Sequence, residues 1–156
     1  MEINQINWAE EFAEKHYNDL EPETKEGAIN FARAIILYKR KEFDRALEML
    51  NKTKLSQFLF KLSIKTFYLR IYYEKGDFQS AGFALDSYKQ FLYKNKTISD
   101  AYRNVYLNFA GMYNDLLRTA KNKKISGKNE LMSKIETLSP NVYNKHWLIE
   151  MIGNLK

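Results

Sequence analysis

Tyr38-Lys39-Arg40-Lys41-Glu42-Phe43-Asp44-Arg45-Ala46-Leu47 and, 35 residues further on, Tyr73-Glu74-Lys75-Gly76-Asp77-Phe78-Gln79-Ser80-Ala81-Gly82 share one pattern. Tyr, Phe and Ala recur in the same order at the same spacing. The pattern is that of a joint between two helices. The Phe packs over the end of the first helix, and a small Ala early in the second lets the two approach closely. A pair built this way leaves an apolar face that only a further pair can cover.

Outward from the joint, apolar residues recur at intervals of three and four, and no segment alternates at period two for long. A first helix is expected from about Asn4 to Leu20, with Ile6, Trp8, Phe12 and Tyr17 on its apolar side. Glu21-Pro22-Glu23 breaks it, and a second helix follows Thr24 and ends in Lys39-Arg40-Lys41, where cations complement the helix dipole. Phe43 to about Thr53 forms a short third helix, and Ser56 caps a fourth that continues to Tyr73. Gly76 supplies a C-terminal cap and Asp77 an N-cap for a fifth, Phe78 to about Lys94. Ser99 caps the sixth and longest, reaching about Asn122, and a seventh runs from Ser126-Gly127 to near Leu138. Ser139-Pro140 is expected to open the last helix, Ser as N-cap and Pro at the first helical position, with Trp147, Leu148, Met151, Ile152 and Leu155 inward. Short connections force antiparallel neighbours. The expectation is an all-α chain of about seven to eight antiparallel helices in one domain.

Residues 28–53 and 63–92 resemble two tetratricopeptide repeats, whose period is about 34. Phe43/Ala46 and Phe78/Ala81 stand at the signature positions, and Gly76 matches the family's turn glycine. Lys41 replaces that glycine in the first copy, and Asn30 and Lys65 stand where the family carries Trp. The resemblance implies a right-handed α-α superhelix spanning 1–156, with 99–156 as its capping end. The whole chain also resembles the C-terminal part of large bacterial proteins in which similar repeats end in a Trp-containing helix like Lys145-His146-Trp147-Leu148. That likeness implies no activity. The first helix reads as half of a pair, so the chain is expected to be the C-terminal piece of a longer array.

The resemblance also implies a concave groove lined by the first helix of each pair. Its residues would be Phe31, Ile35, Tyr38 and Lys39 from one copy and Thr66, Arg70, Tyr73 and Glu74 from the next. Tyr and Arg suit protein recognition, since each joins a large contact area to a polar or charged tip. Arg70 and Lys39 can meet a carboxylate on a partner. The competing account of Phe31 and Ile35 is that they fill the interface between neighbouring helices. A protein or peptide partner is therefore expected, a homodimer through an uncapped end is a further option, and the alternative without a groove is a purely structural segment that caps or dimerises a longer protein.

The chain of 156 residues has 45% hydrophobic and 28% charged residues, ordinary for a soluble domain, but 11 Tyr and 10 Phe against 2 Pro and 6 Gly favour long packed helices. It has no Cys, which excludes disulfides and thiolate chemistry. No signal-peptide pattern opens the sequence and no apolar run approaches the roughly 18 residues of a membrane span. A cytoplasmic setting is the expectation, and the sequons Asn51-Lys52-Thr53 and Asn95-Lys96-Thr97 then carry no glycan. The net charge of +6 is uneven: residues 1–27 hold eight acids and two bases, net −6, and the remainder is net +12. Lys39-Arg40-Lys41, Lys52/Lys54 and Lys121/Lys123/Lys124/Lys128, with plentiful Tyr, make nucleic acid a second reading. Against it, these cations sit at helix ends, where the dipole accounts for them.

Phosphate-binding glycine loops, nucleophile elbows and His-Glu-x-x-His are absent from the sequence. His16 and His146 lie far apart with no second ligand at metal spacing. Glu10, Glu11 and Glu14, followed by Glu21, Glu23 and Glu26, read as a solvated acidic face rather than an acid–base pair. No enzyme activity, cofactor or metal is expected.

Overall fold

A computed structural model describes residues 22–122 and 127–156. The described residues form seven helices and no strand. They are α1 (Pro22–Lys39), α2 (Phe43–Lys52), α3 (Phe58–Lys75), α4 (Phe78–Lys94), α5 (Asp100–Lys121), α6 (Gly127–Leu138) and α7 (Lys145–Gly153). The chain divides into two compact units, Met1–Lys75 and Gly76–Lys156. The boundary falls inside the second repeat-like stretch, 63–92. The helix expected at Asn4–Leu20 lies outside the described residues, as do Lys123, Lys124 and Ser126.

In the first unit α1 begins at Pro22 itself rather than after Thr24. Proline suits a first helical position because its missing N–H would have had no partner there. One stripe of α1, Phe31, Ala34, Ile35 and Tyr38, is buried with Ala46 and Leu50 of α2, Leu55 of the following loop and Ile71 of α3. Phe67 of α3 meets Phe31 and Tyr38 edge to face, with ring centroids 5.7 and 5.5 Å apart. Near the start of α1 the chain must come close to the α2–α3 loop. A Cβ on Gly27 would stand 2.5 Å from the Lys54 carbonyl oxygen, so only glycine admits that approach without a shift.

The helix joint is where local chemistry and the repeat agree. At the end of α1, Lys41 N–H donates to the Tyr38 carbonyl and Glu42 N–H to the Leu37 carbonyl, both at 2.9 Å. This is the Schellman pairing, which requires a left-handed residue, and Lys41 adopts φ 62°. Gly76, 35 residues later, adopts φ 78°. The residues that follow match as well: Glu42 (φ −84°, ψ 63°) and Asp77 (φ −81°, ψ 74°) each precede a helix that starts with Phe. Ala46 and Ala81 are both fully buried. Lysine carries the left-handed strain that glycine avoids in the second copy.

In the second unit the expected caps form. Asp77 accepts a hydrogen bond from Ser80 N–H at 3.0 Å, and Ser99 accepts one from Tyr102 N–H at 3.3 Å. α5 packs against α4, α6 and α7, and α6 packs against α7. Tyr88 of α4, Phe109 and Tyr113 of α5 and Trp147 of α7 lie at the centre, all essentially inaccessible to solvent. The Tyr113 and Trp147 rings stack 5.9 Å apart at 17°. Arg103 ties the end of α4 to α5: its Nε donates to the Leu92 carbonyl at 3.2 Å and another guanidinium nitrogen to the Asn95 carbonyl at 2.8 Å. The C-terminal carbonyls of a helix need such partners.

The last helix does not start at Ser139-Pro140. That peptide bond is cis, and α7 begins at Lys145 after Asn144 in the left-handed region. The intervening residues dock on α5 instead. Tyr143 N–H donates to the Val105 carbonyl at 3.2 Å, the Asn108 amide donates to the Asn141 carbonyl at 2.8 Å, and Val142 is buried. Burial of Val142 and the Tyr143 ring against α5 outweighs the capping signal. Of the inward residues expected in this helix, Trp147, Leu148, Met151 and Ile152 are buried, and Leu155 lies beyond its end, half-buried.

Candidate functional site

α1 has a second stripe opposite the buried one. Arg33, Ile36 and Leu37, at i, i+3 and i+4, share one face of the helix, and Arg40, just past its last residue, continues that face at i+7 with its N–H donating to the Ile36 carbonyl at 3.1 Å. With Arg45, Glu48 and Met49 of α2 they line an open cleft of about 420 Å³. Ile36, Leu37 and Met49 are half-buried and form its floor, whereas Arg33, Arg40 and Arg45 are exposed around the rim.

The charges on the rim are unequal. Arg45 pairs with Glu42. Glu48, the acid of the lining, accepts from Lys52 Nζ at 2.6 Å, and that hydrogen bond and charge hold its carboxyl below the usual range. Arg33 and Arg40 form no ion pair among the described residues. The rim is thus net positive over an aliphatic floor.

The eight residues expected to line a groove separate into two groups. Phe31, Ile35 and Tyr38 belong to the core cluster of the first unit. Thr66 is buried too, its hydroxyl donating to the Leu62 carbonyl at 2.9 Å. Tyr38, Arg70 and Glu74 come together, but facing one another. Arg70 Nε donates to the Tyr38 hydroxyl at 3.1 Å, and its guanidinium lies over the Tyr38 ring, 4.8 Å from the centroid. The Tyr38 hydroxyl donates to one Glu74 carboxylate oxygen, and Lys41 Nζ donates to the other at 2.5 Å. The Glu74 side chain is only 7% exposed. Lys39 is exposed, and Tyr73 is half-buried. The cleft stripe is outside the expected groove set, although its i, i+3, i+4, i+7 spacing is visible in the sequence.

Burial shifts several tyrosines. The Tyr38 hydroxyl is pushed well above the ordinary range chiefly by desolvation, and Tyr73 and Tyr106 are pushed up to about 12 by the same cause. Above about pH 10 tyrosines of the unfolded chain ionise while these stay protonated in the folded one. The folded state then holds more protons, so stability is full below about pH 10 and falls as pH rises towards about 12. Urea midpoints between about pH 8 and 11, a range that spans the ordinary tyrosine pKa, are expected to decline at the alkaline end, less steeply in Tyr73→Phe and Tyr106→Phe. A decline unchanged in both variants would reject this assignment.

Elsewhere, α5 and α6 border a cleft of about 350 Å³ lined by Asp115, Arg118, Thr119, Glu130, Leu131 and Lys134 among others, bridged by Lys134 Nζ to Asp115 at 2.5 Å. Its charges are mixed, and Leu131 is its sole aliphatic member apart from the Thr119 methyl. Leu59, Phe83, Tyr93 and Tyr102 are exposed large apolar side chains. Several cations of the basic clusters are engaged: Lys41 with Glu74, Lys52 with Glu48, and Lys128 Nζ with the Gly153 carbonyl at 2.5 Å. His146 is exposed, and among the described residues no three His, Asp or Glu side chains converge on a metal position. No described helix is long and apolar enough to cross a membrane. No protein-family model, curated protein or solved structure matches the chain.

Proposed function

We propose that the chain is a non-enzymatic, cytoplasmic protein-interaction module of tetratricopeptide-like helical repeats, right-handed in their stacking. In this reading it holds a segment of a partner protein in the α1–α2 cleft. The repeat reading is supported by the joint that recurs with the same backbone 35 residues apart. The binding reading is carried by one observation: an open cleft with an aliphatic floor and an arginine rim. Apolar surface left open beside polar anchors is the common form of a recognition site. The site moves from the face first expected, whose Tyr38, Arg70 and Glu74 are occupied with each other, to the opposite stripe of the same helix.

Affinity capture from lysate, comparing the full chain with Arg33→Glu/Arg40→Glu, tests the reading. Both arginines are exposed, so the loss of folding stability is expected to stay within about 1–2 kcal/mol, most of it from placing a carboxylate at the C-terminal end of the α1 dipole. The expected result is a protein retained by the wild type after nuclease treatment and lost by the variant. Retention of nucleic acid alone, released steeply as salt rises, would replace the reading with the basic-surface alternative.

A further inference from the structure

We propose that the segment held in this cleft is an acidic amphipathic helix with two carboxylates one heptad apart and two aliphatic side chains between them; this rests on the protein-binding reading above. Arg33 lies on α1, and Arg40, seven residues on, directly follows its last residue with its N–H still donating to the Ile36 carbonyl at 3.1 Å, so at about 1.5 Å per residue their Cα atoms are separated by roughly 10.5 Å along the axis. Seven residues are close to two full turns, so both side chains leave the same face. Ile36 and Leu37 occupy the interval between them. A second helix lying along the cleft has the same rise. Its residues i and i+7 then reach the two guanidinium groups while i+3 and i+4 cover Ile36, Leu37 and Met49. Arginine suits this task because its planar fork takes a carboxylate in two parallel hydrogen bonds.

The surrounding charges leave the two arginines unopposed. Glu48 lines the opposite bank but already accepts from Lys52, and Glu42 pairs with Arg45. A basic segment would meet three guanidinium groups, and a neutral one would leave two of them without a counter-charge. Nucleic acid is disfavoured by the lining. None of its residues is aromatic, so a base has no ring to stack on. Lys41 and Lys52, which would extend an anionic track, hold Glu74 and Glu48.

The test is fluorescence anisotropy on the full chain with stapled helical peptides, since short free helices are marginal in water. The acidic probe carries Glu at i and i+7 and Leu at i+3 and i+4. A basic probe carries Lys for Glu, a polar probe carries Ser for Leu, and oligouridylate serves as the nucleic acid. The acidic probe is expected to bind at least tenfold more tightly than the other three. Arg33→Glu/Arg40→Glu is expected to lose that binding by at least tenfold and to gain the basic probe, a reversal that a misfolded variant cannot produce. Equal binding of basic and acidic probes, both weakened by Ile36→Ser, overturns the acidic partner and leaves the protein-binding cleft standing. Binding of oligouridylate alone overturns both, and failure of every probe overturns the inference. A tenfold gain for the acidic probe on Glu10→Lys/Glu11→Lys/Glu14→Lys overturns a separate partner, because the chain's own acidic stretch then competes for the cleft.

Discussion

Trp147→Ala is expected to lower stability by about 3–5 kcal/mol, the range for removing a large aromatic from a packed core. Trp147 is 1% exposed on α7, stacked on Tyr113 and edge-on to Phe109 at 6.5 Å. The two α5 rings are themselves fully buried, so an alanine leaves both facing a cavity in place of the indole. Part of the cost is lost transfer of the indole from water, and part is the cavity. The loss is a large share of the roughly 5–15 kcal/mol that keeps a domain folded. Urea unfolding followed by far-UV circular dichroism measures it. His146→Ala, at an exposed position beside it on the same helix, controls for helix propensity and is expected to change stability by no more than about 0.5 kcal/mol. A shift below about 1 kcal/mol for Trp147→Ala would contradict a core centred on this ring.

What the sequence shows of this fold is what is local. The joint at 38–47 and 73–82 is legible because a left-handed residue, an N-cap and a first-turn Phe depend on neighbours within a few positions. The caps by Asp77 and Ser99 are legible for the same reason. The start of α7 is not, because the competing signal at Ser139-Pro140 is local while the docking of Val142 and Tyr143 on α5 is tertiary. The bonds from Arg103 to the Leu92 and Asn95 carbonyls and the approach of Lys54 to Gly27 are likewise tertiary. The site fails in the same way. α1 carries apolar residues on two sides, Phe31, Ile35 and Tyr38 on one, Ile36 and Leu37 on the other. Helical spacing alone cannot say which side faces inward. The choice is made by Phe67 and Arg70 of α3, which fit against Phe31 and Tyr38, while Leu37 and Met49 touch the edge of that core and, with Ile36, line the cleft.

Arg70→Ala is expected to destabilise the chain by about 3–5 kcal/mol, as removal of one member of a buried charged set does. Arg70 is 7% exposed, with its guanidinium between the Tyr38 and Phe67 rings, 4.8 and 5.3 Å from their centroids. Its loss opens a cavity there and takes a donor from the Tyr38 hydroxyl. It also removes a buried positive charge near the Glu74 carboxylate, leaving Lys41 to oppose it from solvent. The hydroxyl alone is worth less: Tyr38→Phe removes a bond to a charged group, about 1.5–3 kcal/mol. Arg70→Met/Glu74→Gln replaces both charges by groups of similar length and is expected to recover much of the loss, because a buried ionic set adds little beyond a packed neutral one. A double-mutant cycle in urea separates the pair from the packing. Additive single effects of Arg70→Met and Glu74→Gln would show that the two charges are not coupled and that Arg70 acts through its contacts with Tyr38 and Phe67. Binding distinguishes the inward cluster from the cleft: under conditions where Arg70→Met/Glu74→Gln stays folded, it is expected to hold the acidic helical probe as tightly as the wild type. Loss of that binding in the folded variant would return the recognition face to Tyr38 and Arg70.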